Sequence, residues 1–189
     1  MRKIIVTEFI TLDGVVEAPG GNETPHPHGG WQMQYGGTPE TGKYKVDELA
    51  GVDALLLGRT TYEGMANHWK KATGEIAELM NELPKAVVSR TLKEPDWRNA
   101  RILRGGTADE VTKLKNEIER DILVFGSGAL AATLIKAGLF DELRIGLAPA
   151  ILGNGVSLFG RDLPRQQLEL LEARPFSSGL ILLRYAQKH

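Results

Sequence analysis

The 189-residue chain contains no cysteine, which excludes disulfide frameworks, thiolate nucleophiles, cysteine-ligated zinc and iron–sulfur clusters. An excess of charge of one sign is also missing: 23 Lys and Arg stand against 24 Asp and Glu, so no overall field attracts nucleic acid. The apolar start of the chain is broken at Thr7 and Glu8, before the about 7–15 residues of a signal-peptide core are reached. No stretch approaches the about 18–20 apolar residues of a membrane span. We expect a cytoplasmic protein that binds neither nucleic acid nor membranes.

The composition, with 42% hydrophobic and 25% charged residues, is that of a globular protein, and we expect residues 1–189 to form a single domain. Short aliphatic runs predict strands, and apolar residues at helical spacing predict helices between them. The predicted strands are 3–11, 54–57, 86–88, 101–103, 122–125, 143–148, 167–173 and 180–185, and the predicted helices are 60–69, 75–82, 108–120 and 129–136.

The order of these segments predicts an α/β fold. Strands that alternate with helices as far as residue 140 indicate a mostly parallel sheet covered by helices on both faces, a three-layer arrangement. The last two strands are joined by the turn-rich segment 174–179, which leaves no room for a helix. We therefore expect a mixed sheet that ends in an antiparallel hairpin.

Residues at about 15–45 form a segment rich in glycine and proline, with few aliphatic residues. A loop of this length in a compact domain is usually functional or disordered. Since Trp31, Met33 and Tyr35 give the segment apolar character, we interpret it as a lid or binding loop.

The strand that ends at Phe125 runs into Gly126-Ser127-Gly128-Ala129-Leu130-Ala131, which fits the pattern G-x-G-x-x-A. Such glycines let backbone N–H groups approach a pyrophosphate at a helix N-terminus. The alternative is an ordinary tight turn that needs glycine. The acidic residue that a Rossmann fold places about 20 residues further on is missing from 144–148.

Two further strand ends carry hydroxyl groups and arginines. Gly58, Arg59 and Thr61 open one predicted helix, and Ser89 and Arg90 follow another strand. Helix N–H groups, a hydroxyl and a guanidinium together can bind phosphate, although a capped helix with a solvated arginine would have the same sequence. Ligands of open α/β sheets bind beyond the carboxyl ends of strands, and two arginines favour NADP over NAD.

These segments resemble the dihydrofolate reductase-like superfamily, and most closely the C-terminal reductase domain of the bifunctional riboflavin-biosynthesis deaminase-reductase. The resemblance covers nearly the whole chain. It is carried by Thr11-Leu12-Asp13-Gly14, Gly58–Tyr62, Ser89-Arg90, Phe125–Gly128 and the run 137–143 followed by 149–159.

The resemblance implies a reductase that binds NADPH in an extended groove and forms a homodimer. It would transfer hydride to a small heterocycle or its ribosyl derivative, a riboflavin-precursor or pterin-like substrate. Gly58, Arg59 and Thr61 would contact the phosphates, Ser89 and Arg90 the adenosine end, and Gly126, Ser127, Gly128, Ala129 and Leu130 the pyrophosphate and nicotinamide. The alternative is a catalytically inactive NADP-binding sensor or partner-binding module of the same fold.

The substrate half departs from folate reductases, which place a carboxylate on the helix after the first strand, because we place no helix within 15–45. Asp13 is the nearest candidate acid, although Asp before Gly also forms Asx turns; Glu17 and Glu48 are weaker candidates.

Trp31 and Tyr35 could stack on a planar substrate or anchor the loop. His26 and His28 lack a third firm ligand, so we expect no metal site.

Overall fold

In the computed structural model, which describes residues 2–21, 24–160 and 163–188, eight strands form one sheet. They are β1 (Ile4–Thr11), β2 (Val52–Gly58), β3 (Lys85–Val88), β4 (Ala100–Leu103), β5 (Asp121–Phe125), β6 (Glu142–Ala148), β7 (Leu168–Pro175) and β8 (Ile181–Gln187). Their spatial order is β4-β3-β2-β5-β1-β6-β8-β7. The first six are parallel, whereas β8 is antiparallel to both β6 and β7. The predicted mixed α/β sheet with an antiparallel C-terminal hairpin is confirmed.

Helices cover both faces of this sheet. They are α1 (Met33–Gly36), α2 (Pro39–Ala50), α3 (Arg59–Trp69), α4 (Glu75–Glu82), α5 (Thr107–Glu117) and α6 (Gly128–Lys136). One apolar cluster joins α5 and α6 to the sheet through residues such as Val6, and a second joins α2, α3 and α4 to the other face through residues such as Ile5. Successive residues of β1 therefore point into different layers.

The prediction of a loop throughout 15–45 is wrong for its last part, where α2 begins at Pro39. Thr38 and Thr41 form a reciprocal capping box, and proline suits the first helical turn because its missing N–H would have no partner there. The sequence does not predict this helix, because Gly42 and the small number of aliphatic residues leave no apolar pattern at helical spacing. The preceding segment is irregular apart from the single turn α1, and it is anchored: the Trp31 indole N–H donates to the Glu17 carbonyl at 2.9 Å.

The connections that leave β1 and β5 run to opposite faces of the sheet. The chain passes from β1 to α2 on one face, and from β5 through α6 on the other. Because β1 and β5 are neighbours and parallel, we expect a crevice between their carboxyl ends. Ligands of open α/β sheets bind at such a reversal of strand order.

No helix of the described residues is both long enough and apolar enough to cross a membrane.

Candidate functional site

Two helix N-termini lie side by side at the carboxyl edge of the sheet. Gly58 precedes α3 and Ser127 precedes α6, and the Gly58 N–H donates to the Ser127 hydroxyl oxygen at 3.0 Å. Among the described residues, no side chain caps either helix. The N–H groups of both first turns are therefore free to bind an anion, which the positive helix ends also favour.

The turn between β5 and α6 has an unusual backbone. Gly126 and Ser127 are both left-handed, with φ of +63° and +69°. A non-glycine residue in this region is strained, and such strain concentrates at ligand sites. A Cβ on Gly126 would lie 3.5 Å from the Thr61 side chain, so α3 and this turn are in close contact. A Cβ on Gly128 would lie 2.7 Å from Val16 Cγ2, because the loop after β1 crosses the start of α6.

The predicted phosphate arginines lie at neighbouring strand ends. Arg59 is held by Glu63, with Nε to Oε1 at 2.8 Å, and donates from Nη1 to the Thr91 hydroxyl at 2.6 Å. Its side chain remains 45% exposed and thus open to a ligand. Arg90, one residue earlier than Thr91, is exposed.

The turn after β3 is fixed by Ser89 and by an arginine that the sequence did not point to. The Ser89 hydroxyl accepts the backbone N–H groups of Thr91 and Leu92, so it shapes this turn. Arg104, beyond the end of β4, donates to the carbonyls of Leu92 and Lys93. Its position could be found only from the pairing of β4 with β3.

The predicted cofactor residues fall into two groups. Gly58, Thr61, Gly126, Ser127, Gly128 and Leu130 surround the two helix starts, with exposed Ala129 in the first turn of α6. Arg59 directly follows Gly58 at the end of β2, and Ser89 and Arg90 follow β3, one strand further from β5. The sheet order accounts for both groups, since β3, β2 and β5 are consecutive strands.

The structure gives Asp13 an anchoring role. Its carboxylate accepts the Thr11 hydroxyl at 2.6 Å and the backbone N–H groups of Leu152 and Gly153 at 3.1 and 2.7 Å. The Thr11 hydroxyl and then the Gly153 N–H lower the pKa of Asp13, so it is ionised at neutral pH and has no proton to give. Glu17 likewise accepts the Val156 N–H at 3.0 Å.

Trp31 is only 4% exposed and belongs to an apolar cluster that includes Phe176 and Leu182. Together with its hydrogen bond to Glu17, this burial favours the anchoring alternative over stacking on a substrate. Tyr35 is half-buried beside it, and both line an open cleft whose other wall is 150–152.

The helix that the sequence did not predict brings Lys45 to the β1–β5 crevice. Its ammonium lies 4.9 Å from the ring centres of both Phe9 and Phe125, which are half-buried although they belong to central strands. It donates to Glu48 Oε2 at 2.7 Å and to the Thr7 hydroxyl at 3.2 Å. The spacing of Lys45 and Glu48 fits one helical turn, but this signal needs the helix to be known first.

Glu48 is a buried, ionised partner for Lys45. Burial alone would raise its pKa, but the Lys45 ammonium, Arg144 and the Tyr44 hydroxyl more than offset it, so the pKa of Glu48 lies below its usual value. Tyr44 donates to Glu48 Oε1 at 3.0 Å, and Arg144 Nη1 lies 3.3 Å from the same oxygen. Burial and the neighbouring carboxylate in turn raise the pKa of Tyr44.

Glu8 points into the opposite layer. By strand alternation its side chain lies on the face of Val6 and Ile10, in the cluster that packs against α5 and α6. Its Oε1 has no hydrogen-bond partner in the described part of the chain, and burial raises its pKa to about 8. The sequence carried a signal for this group, a charge within the apolar strand 4–11.

Comparisons with known proteins agree over the full length. The family model of the RibD C-terminal domain matches residues 2–182. Two uncharacterized proteins of Bacillus subtilis (strain 168) are similar: YyaP is 31% identical over 97% of this chain and 94% of its own, and YwjB is 25% identical over 96% of each.

Solved structures share the fold at low sequence identity. A putative riboflavin biosynthesis protein from Shewanella sp. PV-4 has a TM-score of 0.74 at 21% identity, with 99% of each chain covered. A pyrimidine reductase-like protein from Corynebacterium diphtheriae has a TM-score of 0.70 at 13% identity, covering 100% of this chain and 92% of its own. Dihydrofolate reductase from Enterococcus faecalis, solved with NADP(H), has a TM-score of 0.61 at 14% identity, covering 99% and 97%. The fold is that of dihydrofolate reductase, and the chain belongs to the RibD C-terminal domain family.

Proposed function

We propose that this protein is an NADPH-dependent reductase of a small planar heterocycle or its ribosyl derivative, of the riboflavin-precursor or pterin-like class. The observation that carries the proposal is the convergence of two uncapped helix N-termini, those of α3 and α6, beside the β1–β5 crevice. The comparisons support the reaction class, since proteins of this fold include a putative riboflavin biosynthesis protein and a pyrimidine reductase-like protein.

The residues present fit the cofactor. The first turns of α3 and α6 offer free N–H groups to a pyrophosphate, and Gly126 leaves its position in the turn without a side chain. Arg59, held in place by Thr91, and exposed Arg90 would bind the 2′-phosphate. When bound, NADPH supplies the hydride. The protein aligns donor and acceptor at the crevice.

A thermal-shift titration with NADPH, NADP+ and NADH tests the cofactor. A ligand at 100 times its Kd adds about 2.7 kcal/mol of apparent stability, enough for a clear rise in Tm. A rise that is selective for the phosphorylated dinucleotides supports the proposal, and no rise with any of them refutes it. Binding without NADPH oxidation by any pterin, flavin precursor or imine would instead support an inactive nucleotide-binding module.

Arg59→Ala tests the 2′-phosphate contact. Because a guanidinium–phosphate pair is a charge-assisted hydrogen bond, we expect NADPH affinity to fall roughly tenfold or more and NADH affinity to change little. Arg101→Ala is the matched control, since Arg101 is exposed on β4 and pairs with Glu117. Equal losses for NADPH and NADH would remove Arg59 from this role.

We also propose a homodimer formed through β7. This strand lies at the edge of the sheet and exposes Leu168, Leu170 and Leu171, the last two at 54% and 46%. An uncovered apolar edge strand is a template for pairing with another chain. Light scattering at micromolar concentration should give twice the mass of one chain, and Leu170→Lys should give a monomer. A wild-type monomer would end the proposal.

A further inference from the structure

The ionised side chain that α2 presents to the crevice is a cation. Thr41, Lys45 and Glu48 share the inward face of α2, being spaced by four and three residues. The Thr41 hydroxyl is used within the loop, where it donates to the Gly36 carbonyl. The Glu48 side chain is fully buried, whereas Lys45 keeps 15% of its side chain exposed. Lys45, and not Glu48, lines the pocket bordered by Thr7 and Phe9 of β1, so a ligand there meets the ammonium group and not the carboxylate.

The ammonium has a donor to spare. It carries three N–H bonds, and within the described residues two of them go to Glu48 and Thr7. Its other neighbours are the faces of Phe9, Tyr44 and Phe125, at 4.9, 5.4 and 4.9 Å from the ring centres. Aromatic faces stabilise a cation without accepting a conventional hydrogen bond. The third N–H is thus available to an acceptor atom of a ligand in the crevice.

Thr7 and Glu48 fix the ammonium in place. The Thr7 hydroxyl accepts from Lys45 Nζ and donates to Glu48 Oε2 at 3.4 Å, so the three groups close a triangle. Thr7 belongs to β1 and its carbonyl accepts the N–H of Gly126 at 3.0 Å. The triangle is therefore tied directly to the turn that begins α6.

We propose that Lys45 is the catalytic acid: its ammonium contacts the hydride acceptor, stabilises the negative charge that develops there and supplies the proton. Thr7 and Glu48 are positioning residues. The inference rests on the proposed function and adds a selection rule to it. The acceptor is a neutral or anionic compound with a C=N or C=O bond, and a cationic acceptor is rejected by like charge.

The proton and electrons balance as follows for a C=N acceptor. The carbon receives the hydride from the reduced nicotinamide, and the two π electrons of the C=N bond move to nitrogen. The nitrogen takes a proton from Lys45 Nζ, which gives a CH–NH product, and the Lys45 amine regains its proton from water. The dinucleotide leaves in its oxidised form, so one NADPH and one proton are consumed per turnover.

A cation beside the nicotinamide position leaves a signature that needs no substrate. It disfavours the positively charged oxidised ring relative to the neutral reduced ring. The experiment measures Kd for NADP+ and for NADPH with the wild type, Lys45→Met, Lys45→Arg and Glu48→Gln. Lys43→Met is the control, because Lys43 lies on the same helix, 75% exposed and paired with Asp47.

The two key variants should move the ratio of Kd for NADP+ to Kd for NADPH in opposite directions. Lys45→Met should lower it roughly three- to tenfold and Glu48→Gln should raise it by a similar factor. A tenfold change corresponds to about 30 mV in the potential of the bound cofactor. Lys45→Arg and the Lys43 control should leave it near the wild-type value. If Lys45→Met does not fold, because it leaves Glu48 without its closest cation, Glu48→Gln carries the test by itself.

An unchanged ratio in the variants, with both dinucleotides bound, overturns the inference and leaves the proposed function standing. Failure of the wild type to bind either dinucleotide removes the proposed function, and the inference with it. With an acceptor that the wild type reduces, Lys45→Met should lower kcat about 100-fold or more, with Kd for NADPH unchanged. Undiminished kcat in that variant refutes the acid role.

Discussion

Replacement of Glu8 by glutamine should stabilise the protein, and by an amount that depends on pH. Burial raises the pKa of Glu8 from 4.5 to about 8, so the folded protein holds this proton at pH values where the unfolded chain has lost it. The contribution of Glu8 to stability is therefore most favourable below pH 4.5 and is lost as the pH rises towards 8. At 1.36 kcal/mol per pKa unit, the cost at pH 7 is about 3 kcal/mol. Glutamine has nearly the same shape and no such cost.

Thermal unfolding of the two proteins between pH 5 and 8 checks this prediction. At pH 7 the Glu8→Gln protein should melt about 6–12 °C higher, since 1 kcal/mol shifts Tm by about 2–4 °C in a domain of this size. The difference should shrink steadily towards pH 5. A difference that does not depend on pH, or a variant less stable than the wild type at pH 7, would refute the neutral, buried state of Glu8.

Glu142→Gln is the matched control, because it replaces another buried glutamate of the same sheet. Burial opposes the ionisation of Glu142, but Arg144 and Arg184 more than offset it and lower its pKa to about 2. Its contribution to stability is present above pH 4.5 and is lost as the pH falls towards 2. Glu142→Gln should therefore destabilise at pH 7, by about 3 kcal/mol, where Glu8→Gln stabilises.

Further predictions concern the loops over the site. Asp13→Ala removes the acceptor of two backbone N–H groups, so amide hydrogen exchange in 150–158 should accelerate; unchanged exchange would argue against the anchoring role. Gly128→Ala places a methyl group against Val16 and should cost about 1–3 kcal/mol, measured by denaturant unfolding. The Gly128→Ala/Val16→Ala double variant should recover much of the lost stability, and a double variant without such recovery would contradict the contact. Trp31→Ala should lower stability by about 3–5 kcal/mol, whereas a surface stacking residue would be nearly neutral.

The cofactor half of the site could be predicted from sequence because its signals are local. Gly58 and Gly126 each lie between a strand and a helix. Such a turn can be recognised in the sequence as an apolar run, then a glycine, then apolar residues at helical spacing. Parallel pairing then brings the ends of β2, β3 and β5 together without any further information. The left-handed backbone of Ser127 could not be predicted from the sequence, since serine, unlike glycine, does not favour positive φ.

The substrate half could not be predicted, because its signals depend on contacts between distant segments. Lys45 and Glu48 can be recognised as part of a site only when it is known that α2 packs on β1, where Lys45 contacts Thr7. A segment with Gly42 and few aliphatic residues does not show the apolar periodicity of a helix, so the position of α2 stayed hidden. Nearness in sequence to the first strand suggests Asp13 as a candidate acid, whereas its carboxylate accepts N–H groups of the 150–158 loop.

The two faces of the central strand β1 carry side chains in different charge states. Thr7 and Glu8 are adjacent but point to opposite faces of β1, so Thr7 joins the ionised pair of Lys45 and Glu48 while Glu8 lies neutral at pH 7 in an apolar layer. Glu48 accepts from both Lys45 and Arg144, and Arg144 also donates to Glu142 at 2.8 Å, so the two carboxylates balance the two cations. Because Glu48 is fully buried and Lys45 is partly exposed, the α2 face presents the ammonium group, which attracts an acceptor that gains negative charge. Ionisation of Glu8 at high pH adds a negative charge near Lys45, on the other face of the same strand, and should weaken that attraction.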